Sequence, residues 1–282
     1  MSQIFETCKS HSIKDINEVI FNNKFGTEAT KMANMFSTFF LNVDGNFTNF
    51  EQFSAELKCI NHKFTAIGIA ETNTSPNLGA TYKIPNYKEY YQDIQDNKKT
   101  GTGVALYIHD SINVTVIDEI SECSRDIESL FVKSTNTEVQ ITIGVIYRPN
   151  DGNRDIFCDK LDKIFEFLPK ENVYILGDYN INLLCKNIYG KYEDTFMSSG
   201  FIPLISTYTH HRPGTNKSCI DNIFTNNCNT QNVVFSGTIK DNMSHHLPIF
   251  QFSNINLKLP KSTEKHTQHY DYSNKKISSF VD

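Results

Sequence analysis

Apolar residues occur along the chain in short runs of strand length, with polar residues at the ends of each run. Residues 35–41, 64–70 and 173–176 are largely apolar, as expected for strands buried on both faces. Further strands are predicted at 103–109, 112–117, 129–133, 139–147, 219–225 and 247–252. A turn at 110–111 joins the first two of these, and 129–133 with 139–147 forms another antiparallel pair.

Four segments instead show helical spacing. Residues 13–21 predict a short helix, and 153–168 carries a continuous apolar stripe. Thr48 and Glu51 form a capping box before a third helix that extends to residue 60. Gly200 would end a fourth helix over 189–197.

Strands outnumber helices, and no internal repeat of 20–50 residues is present. This pattern predicts two packed sheets with helices outside them, in one α/β domain over residues 36–253. A poorly defined extension, 1–35, would precede the domain, and a polar, Lys-rich tail, 254–282, would follow it.

Composition narrows the class of protein. The chain has 282 residues and a formal charge of −5, so binding to a polyanion would require its basic side chains to gather on one surface. No apolar stretch is long enough to span a membrane, and no secretion signal is evident, so we expect an intracellular protein, nuclear and cytoplasmic. Seven Cys without a CxxC pair argue against structural zinc.

Polar side chains follow several of the predicted strands. Asn42, Glu71 and Tyr147 each end one, and Asp178 and Asn180 come directly after the strand 173–176. Strand ends are rigid, so such side chains can converge at the rim of a sheet to build a site. Gly-Asp-x-Asn is also ordinary turn chemistry, and that alternative stays open for the last pair.

Two later segments contain further candidates. Asp221 interrupts a strand-like run, where a lone Asp is more often an edge residue than a functional one. His245 and His246 are adjacent, so on a strand they point to opposite faces and only one can reach a given cleft. A single His in such a place is more often a surface or core residue than a catalyst.

Taken together and in order, seven segments resemble the endonuclease/exonuclease/phosphatase superfamily. Over residues 36–253 they are most similar to the apurinic-endonuclease-like endonuclease domain of non-LTR (LINE-type) retrotransposons. The matching segments are Leu41-Asn42-Val43, Ile69-Ala70-Glu71-Thr72, 101–107, 144–149, 175–180, Ile220-Asp221-Asn222-Ile223 and 244–249.

The resemblance implies a fold and an activity. The fold would be an α/β four-layer sandwich, in which two stacked, mostly antiparallel β-sheets are flanked by helices, as in deoxyribonuclease I. The activity would be divalent-metal-dependent hydrolysis of a DNA phosphodiester, a nick that primes reverse transcription. Mg²⁺, or Mn²⁺, would be the cofactor, with no organic cofactor, and a reverse transcriptase would come from another chain.

The resemblance also assigns roles to residues. Glu71 and Asn42 match the metal site, and Tyr147 matches a phenol that contacts the scissile phosphate. Asp178 and Asn180 match the pair that positions the attacking water and assists the leaving oxygen. Asp221 matches the carboxylate that orients the catalytic His246.

One position departs from the family pattern. The residue before the final His is usually Asp, but here it is His245. As a metal ligand, His245 would favour Mn²⁺, which accepts imidazole. Asp241 could replace part of the lost charge. The alternatives are a catalytically impaired relic and a phosphatase of the same fold that acts on another phosphoester.

Basic residues near these segments are candidate DNA contacts. The loop 210–217, which contains Arg212 and Lys217, corresponds to a loop at the DNA-binding face of the resembling enzymes, although it also fits a solvated turn. Arg148, Lys98 and Lys99 could add phosphate contacts, which position DNA without specifying its sequence.

Overall fold

The structure, a computed structural model, describes residues 9–25, 35–45, 50–74, 82–92, 102–185, 190–227, 233–240 and 244–257. Thr48, Lys98, Lys99, Asp241 and the predicted tail beyond residue 257 lie outside these ranges. The described residues form two seven-stranded sheets packed face to face.

The first sheet contains the strand pair that leads to Asn42 and Glu71. Its strands are β1 (Lys9–His11), β2 (Met35–Asn42), β3 (Ala66–Ala70), β4 (Tyr87–Gln92), β5 (Val104–His109), β13 (Val233–Ile239) and β14 (Ile249–Asn256). Their order across the sheet is β1-β13-β14-β2-β3-β5-β4. The sheet is mostly antiparallel, but β2 pairs with β3, and β1 with β13, in parallel.

The strands of the second sheet are β6 (Val114–Val116), β7 (Glu122–Cys123), β8 (Glu128–Ser134), β9 (Thr142–Tyr147), β10 (Val173–Asp178), β11 (Ile202–Pro203) and β12 (Asp221–Thr225). Their order is β11-β12-β10-β9-β8-β6, and β7 pairs with β8. Only β9 and β10 pair in parallel within the described part of this sheet.

Helices cover the outer faces. α1 (Ile13–Phe25) and α2 (Phe50–Cys59) pack on the first sheet, and α3 (Arg154–Phe167) and α4 (Gly190–Ser198) pack on the second. The side chain of Asn153 caps α3 by accepting hydrogen bonds from the backbone N–H groups of Asp155 and Ile156. The described residues thus form four layers, as predicted.

The central strands are apolar throughout because both of their faces are buried. On β2, Phe40 faces the core between the sheets, whereas its neighbour Phe39 packs with the residues under α1 and α2. Leu176 on β10 joins the core between the sheets, and Ile175 packs under α3 and α4. Alternation therefore sends successive apolar side chains into different layers of the core.

Some predicted elements are wrong in detail. The run 112–117 forms only β6, which pairs with β8 in the second sheet, while β5 pairs with β3 and β4 in the first. The turn between them therefore connects two sheets and does not close a hairpin. The strand β13 was not predicted, because the buried polar residues Ser236 and Thr238 interrupt its apolar pattern.

Both predicted ends of the domain also differ from the structure. Within the predicted extension, β1 pairs with β13, and Ile16 and Ile20 of α1 are buried against the first sheet. At the other end, β14 continues to Asn256, where it pairs with Met35. These residues belong to the packed fold because they complete one edge of the sheet and extend a central strand. Across the described residues, no helix has the length and hydrophobicity needed to cross a membrane.

Gly177 on β10 gives a test of this packing. A Cβ atom added there would lie 2.2 Å from the backbone oxygen of Ile146 on the adjacent strand. We expect Gly177→Ala to lower the free energy of unfolding by about 2 kcal/mol or more, measured by urea denaturation. Gly190→Ala is the matched control, because the nearest atom to its added Cβ is 3.9 Å away. Equal stability of the two variants would contradict this account.

Candidate active site

Strand register places three predicted residues side by side in the second sheet. Tyr147 on β9 pairs with Asp178 on β10, and Asp178 pairs in turn with Asp221 on β12. The β9–β10 pair is parallel, so Tyr147 and Asp178 end their strands together, and antiparallel β12 begins at the same edge. The local sequence shows only three separate strand ends. Strand pairing brings the three residues into one row at the same edge of the sheet.

The first sheet contributes two residues in the same manner. Asn42 ends β2 opposite Ala70 of β3, so Glu71 is the next residue at that edge. The Asn42 side-chain nitrogen, Nδ2, donates hydrogen bonds to Glu71 Oε1 at 2.9 Å and to Asp178 Oδ2 at 2.8 Å. Asn42 is fully buried. It therefore joins the functional edges of the two sheets directly.

Hydrogen bonds fix the orientation of the Asn42 side chain. Its side-chain oxygen, Oδ1, accepts a hydrogen bond from the backbone N–H of Asp44 at 2.8 Å, and its nitrogen faces the two carboxylates. The amide therefore orients Glu71 and Asp178. The predicted part of Asn42 in a metal site stays a prediction.

Glu71 stands on strained backbone. Its φ is +56°, in the left-handed region that non-glycine residues rarely adopt, at a cost of about 1–2 kcal/mol. The following residue anchors this turn through a hydrogen bond from the Thr72 backbone N–H to Gly103 O at 3.1 Å. Burial raises the pKa of Glu71, while hydrogen bonds from Asn42 and from the Tyr147 hydroxyl favour its ionised form.

Asp178, Asp221 and His246 form a buried cluster at the centre of the site. One potential ligand atom from each lies within 4.8 Å of the others. His246 Nδ1 is 3.0 Å from both carboxylate oxygens of Asp221 and 4.0 Å from Asp178 Oδ2. The prediction that Asp221 would lie beside His246 thus agrees with the structure, and Asp221 is no edge residue.

The charges of this cluster are strongly perturbed. Burial alone would lower the pKa of His246, but the negative charges of Asp221 and Asp178 raise it to about 9, so the imidazole is protonated at neutral pH. Burial, together with the charge of Asp221, raises the pKa of Asp178 to about 7. Asp178 can therefore gain or lose a proton near neutral pH.

Sequence reasoning missed two neighbours of this cluster. The Thr209 hydroxyl donates to Asp221 Oδ2 at 2.6 Å and accepts hydrogen bonds from the backbone N–H groups of Ile220 and Asp221. The His210 ring centroid lies 4.6 Å from that of His246, and burial with the charge of His246 lowers the pKa of His210 to about 4. The sequence marks His210 only as the first residue of the loop 210–217, and no local pattern marks Thr209. Tertiary contacts bring both residues to the cluster.

Asn180 and Arg148 support the edge of the second sheet. The Asn180 backbone N–H donates to Asp178 Oδ1, and its side-chain amide donates to Arg148 O, both at 2.8 Å. The Arg148 guanidinium donates to the backbone oxygens of Tyr179, Gly152 and Asn180 and is 1% exposed. Arg148 is thus a structural residue, and the prediction that it contacts DNA does not fit its position, because carbonyl groups occupy its donors.

The other predicted DNA contacts are exposed. Lys217 Nζ lies 4.0 Å from the centroid of the Tyr208 ring. Arg212 Nη2 is 3.0 Å from Asp44 Oδ1. His245 Nδ1 contacts the other oxygen of the same carboxylate, Asp44 Oδ2. The structure places His245 at Asp44 and outside the buried cluster, and its predicted part as a metal ligand stays a prediction. Asp44 was not predicted.

The arrangement fits a hard divalent cation. Glu71, Asp178 and Asp221 place three carboxylates at one edge, and burial raises the pKa of the first two. Carboxylate oxygens are the ligands that Mg²⁺ prefers, and a cation there would relieve the repulsion between them. Glu71, which accepts a hydrogen bond from the Asn42 amide, is the residue that would hold it, and Asp178 lies beside it on the same amide.

Comparisons with solved structures agree with this architecture. The chain is similar to the endonuclease domain of TRAS1, a telomere-specific non-LTR retrotransposon, with a TM-score of 0.59 at 13% identity over 78% of this chain and 99% of that one. It is similar to the AP endonuclease LMAP from Leishmania major, with a TM-score of 0.58 at 12% identity over 78% and 88% of the two chains. It is also similar to the mannosyl-6-phosphatase Bt3783 of Bacteroides thetaiotaomicron VPI-5482, with a TM-score of 0.54 at 16% identity over 77% and 98%.

Neither the protein-family models nor the curated proteins give a match to this chain. The solved structures establish the fold: this chain is an α/β four-layer sandwich with the endonuclease/exonuclease/phosphatase fold. That is the fold which the seven sequence segments implied.

The revised role of Arg148 can be tested by stability. We expect Arg148→Met to lower the free energy of unfolding by about 2–4 kcal/mol, because three backbone carbonyls lose a charged donor. Urea denaturation measures this change. The control is Arg212→Met, which removes an exposed guanidinium and should cost less than about 1 kcal/mol. A fully stable Arg148→Met variant with weakened DNA binding would restore the original prediction.

Proposed function

We propose that this chain is a divalent-metal-dependent DNA endonuclease that hydrolyses phosphodiester bonds. The observation that carries the proposal is the hydrogen-bonded connection from Glu71 through Asn42 to Asp178, next to the Asp221–His246 pair. The similar solved structures, which include a retrotransposon endonuclease domain and an AP endonuclease, add support from fold.

Phosphodiester hydrolysis makes three demands on a site. The charge that develops on the phosphoryl oxygens must be stabilised, a water must be positioned and activated, and the leaving oxygen must be assisted. Mg²⁺ or Mn²⁺ held by Glu71 would supply charge neutralisation at the phosphoryl group. The remaining demands fall on the side chains of the chain itself.

His246 has the properties of an electrostatic stabiliser. Its Nδ1 is engaged by Asp221, which fixes the ring orientation and maintains the positive charge. Its other ring nitrogen, Nε2, has no hydrogen-bond partner within the described ranges, and it can therefore donate to a phosphoryl oxygen. Thr209 assists indirectly, since its hydroxyl positions Asp221.

Asp178 is suited to activate water. A general base is most effective when its pKa lies near the working pH, and the pKa of Asp178 is raised to about 7. The Asn180 backbone N–H and the Asn42 amide fix the orientation of the carboxylate. Tyr147 positions Glu71 through its hydroxyl, and from the same place it can contact the scissile phosphate.

The exposed cations favour DNA as the substrate. Arg212 and Lys217 lie on the loop 210–217. This loop is joined to the active site because Thr209 directly precedes it and His210 is its first residue. Such contacts bind backbone phosphates without reading bases. The nicking of target DNA, with a reverse transcriptase supplied by another chain, is the form of this activity suggested by the likeness to the TRAS1 domain.

Plasmid nicking tests the proposal. We expect the wild-type protein to convert supercoiled DNA to the open circle with Mg²⁺ or Mn²⁺, and not with EDTA. His246→Ala should lower the rate about 10²–10⁴-fold at every metal concentration, because it removes stabilisation of the transition state. Glu71→Gln should lower it about 10²-fold, with partial recovery at high metal concentration.

The matched control is Lys170→Ala, an exposed cation that precedes β10 at the end away from Asp178. It should nick at the wild-type rate. Wild-type rates for His246→Ala would refute its assigned role. Faster turnover of a phosphomonoester than of plasmid would instead favour the phosphatase alternative.

Substitution of His245 tests whether the natural protein is an active enzyme or a catalytically impaired relic. We expect His245→Asp to reduce nicking, because it places a second carboxylate against Asp44 and removes the contact that His245 makes to it. Rates from the same plasmid assay measure this, with His245→Asn as the uncharged comparison. A gain of about tenfold or more with His245→Asp would mean that the natural protein is an impaired relic.

A further inference from the structure

Three side chains from three different segments meet at the edge of the site, and we call Asp44, Arg212 and His245 the rim cluster. One oxygen of Asp44, Oδ1, accepts from Arg212 Nη2 at 3.0 Å, and the other, Oδ2, contacts His245 Nδ1. The Asp44 side chain is 26% exposed, and those of Arg212 and His245 are about half exposed. One carboxylate thus contacts the side chains of both Arg212 and His245.

The segments that the rim cluster joins are those that build the site. Asp44 follows the end of β2, where Asn42 lies. Arg212 belongs to the hairpin of residues 209–218, whose ends pair through backbone hydrogen bonds between His210 and Ser218. His245 immediately precedes His246, and its backbone oxygen accepts from the His211 N–H at 3.0 Å.

Asp44 is itself rigidly placed. Its φ is +54°, and its backbone N–H donates to the Asn42 side-chain oxygen. The Ser244 hydroxyl, one residue before His245, donates to Asn42 O at 2.8 Å. The rim cluster therefore attaches the hairpin to backbone that is already fixed by the active site.

Arg212 retains donors for a ligand. A guanidinium has five N–H donors, and Asp44 engages only Nη2. Nε and Nη1 have no side-chain or backbone partner among the residues that the structure describes. Arg212 can therefore keep its contact with Asp44 while its other nitrogens bind a second anion.

We propose that Asp44 is a positioning residue, which fixes the hairpin of residues 209–218 and thereby presents Arg212 to a backbone phosphate of the substrate. The inference rests on the proposed function in so far as the substrate is a polynucleotide. The part of the inference in which Asp44 fixes the hairpin does not depend on the proposed function.

The proposal makes a prediction opposite to that of simple electrostatics. Asp44→Asn removes a negative charge from the surface that would face DNA, so long-range electrostatics alone predicts tighter binding. If Asp44 positions Arg212, the same substitution weakens binding. The sign of the change in Kd therefore distinguishes the positioning role of Asp44 from a purely electrostatic effect.

The binding experiment uses the full chain in EDTA with a short DNA duplex, and Kd is measured against NaCl concentration. We expect Arg212→Ala to weaken binding about tenfold and to lower the slope of log K against log salt by about one, the effect of one lost phosphate contact. Asp44→Asn should weaken binding in the same direction, and the double variant should be no weaker than Arg212→Ala alone. Lys63→Ala, an exposed cation before β3 at the end away from Glu71, should change neither quantity.

A second measurement needs no ligand. Amide hydrogen exchange of the free protein should be faster in residues 210–217 for Asp44→Asn than for wild type or for Lys63→Ala. Should Asp44→Asn fail to fold, Arg212→Gln breaks the same contact from the other side and replaces it in the exchange experiment.

The outcomes are distinct. Tighter DNA binding by Asp44→Asn, or unchanged exchange in the hairpin, overturns the positioning role. Faster exchange together with weaker binding supports it. Faster exchange in a protein whose wild type neither binds nor nicks DNA would refute the proposed function and the phosphate contact, and would leave Asp44 only as the tether of the hairpin.

Discussion

The Asn42 amide is the interaction on which the candidate site depends, because it holds a carboxylate from each sheet with a single nitrogen. Glu71 follows a strand of the first sheet and Asp178 ends a strand of the second, and both accept hydrogen bonds from Asn42 Nδ2. Without this amide, two acidic groups would face each other across the junction of the sheets with only electrostatic repulsion between them. The backbone N–H of Asp44 engages the remaining side-chain oxygen of Asn42, which prevents the amide from turning over.

Around this amide, the protein concentrates features that oppose folding. Glu71 and Asn180 both adopt positive φ values, and Asp178 is completely buried with a raised pKa. His246 offsets part of this cost, because its positive charge lies between two carboxylates. Strain and buried charge of this kind are characteristic of functional sites and are maintained by the surrounding packing. The apolar core on both sides of each sheet provides that packing.

Much of the fold and of the site could be predicted from the sequence, and the failures have physical causes. Asn42, Glu71, Tyr147 and Asp178 were predictable because each ends an apolar strand, and parallel pairing brings such ends together. The burial of Arg148 was not predictable, because the sequence does not distinguish an Arg that donates to three backbone carbonyls from an Arg that binds phosphate. Thr209 and Asp44 stand in loops, and only tertiary contacts reveal them. The strand β13 was not predicted because its residues Ser236 and Thr238 are polar, although they are buried.

Two of the parallel strand pairs, β2 with β3 and β9 with β10, have a consequence for how the molecule acquires activity. Each pair needs a helical crossover, α2 or α3, before its second strand can join, and the site then also requires β12 and the residues after β13. Contacts so distant along the chain form late and slowly, because loop closure must precede them. No fragment of this chain would contain a working centre, and a partly folded molecule could not cut a nucleic acid. The specific activity of a preparation would therefore be proportional to the fraction of molecules in which both sheets have formed completely.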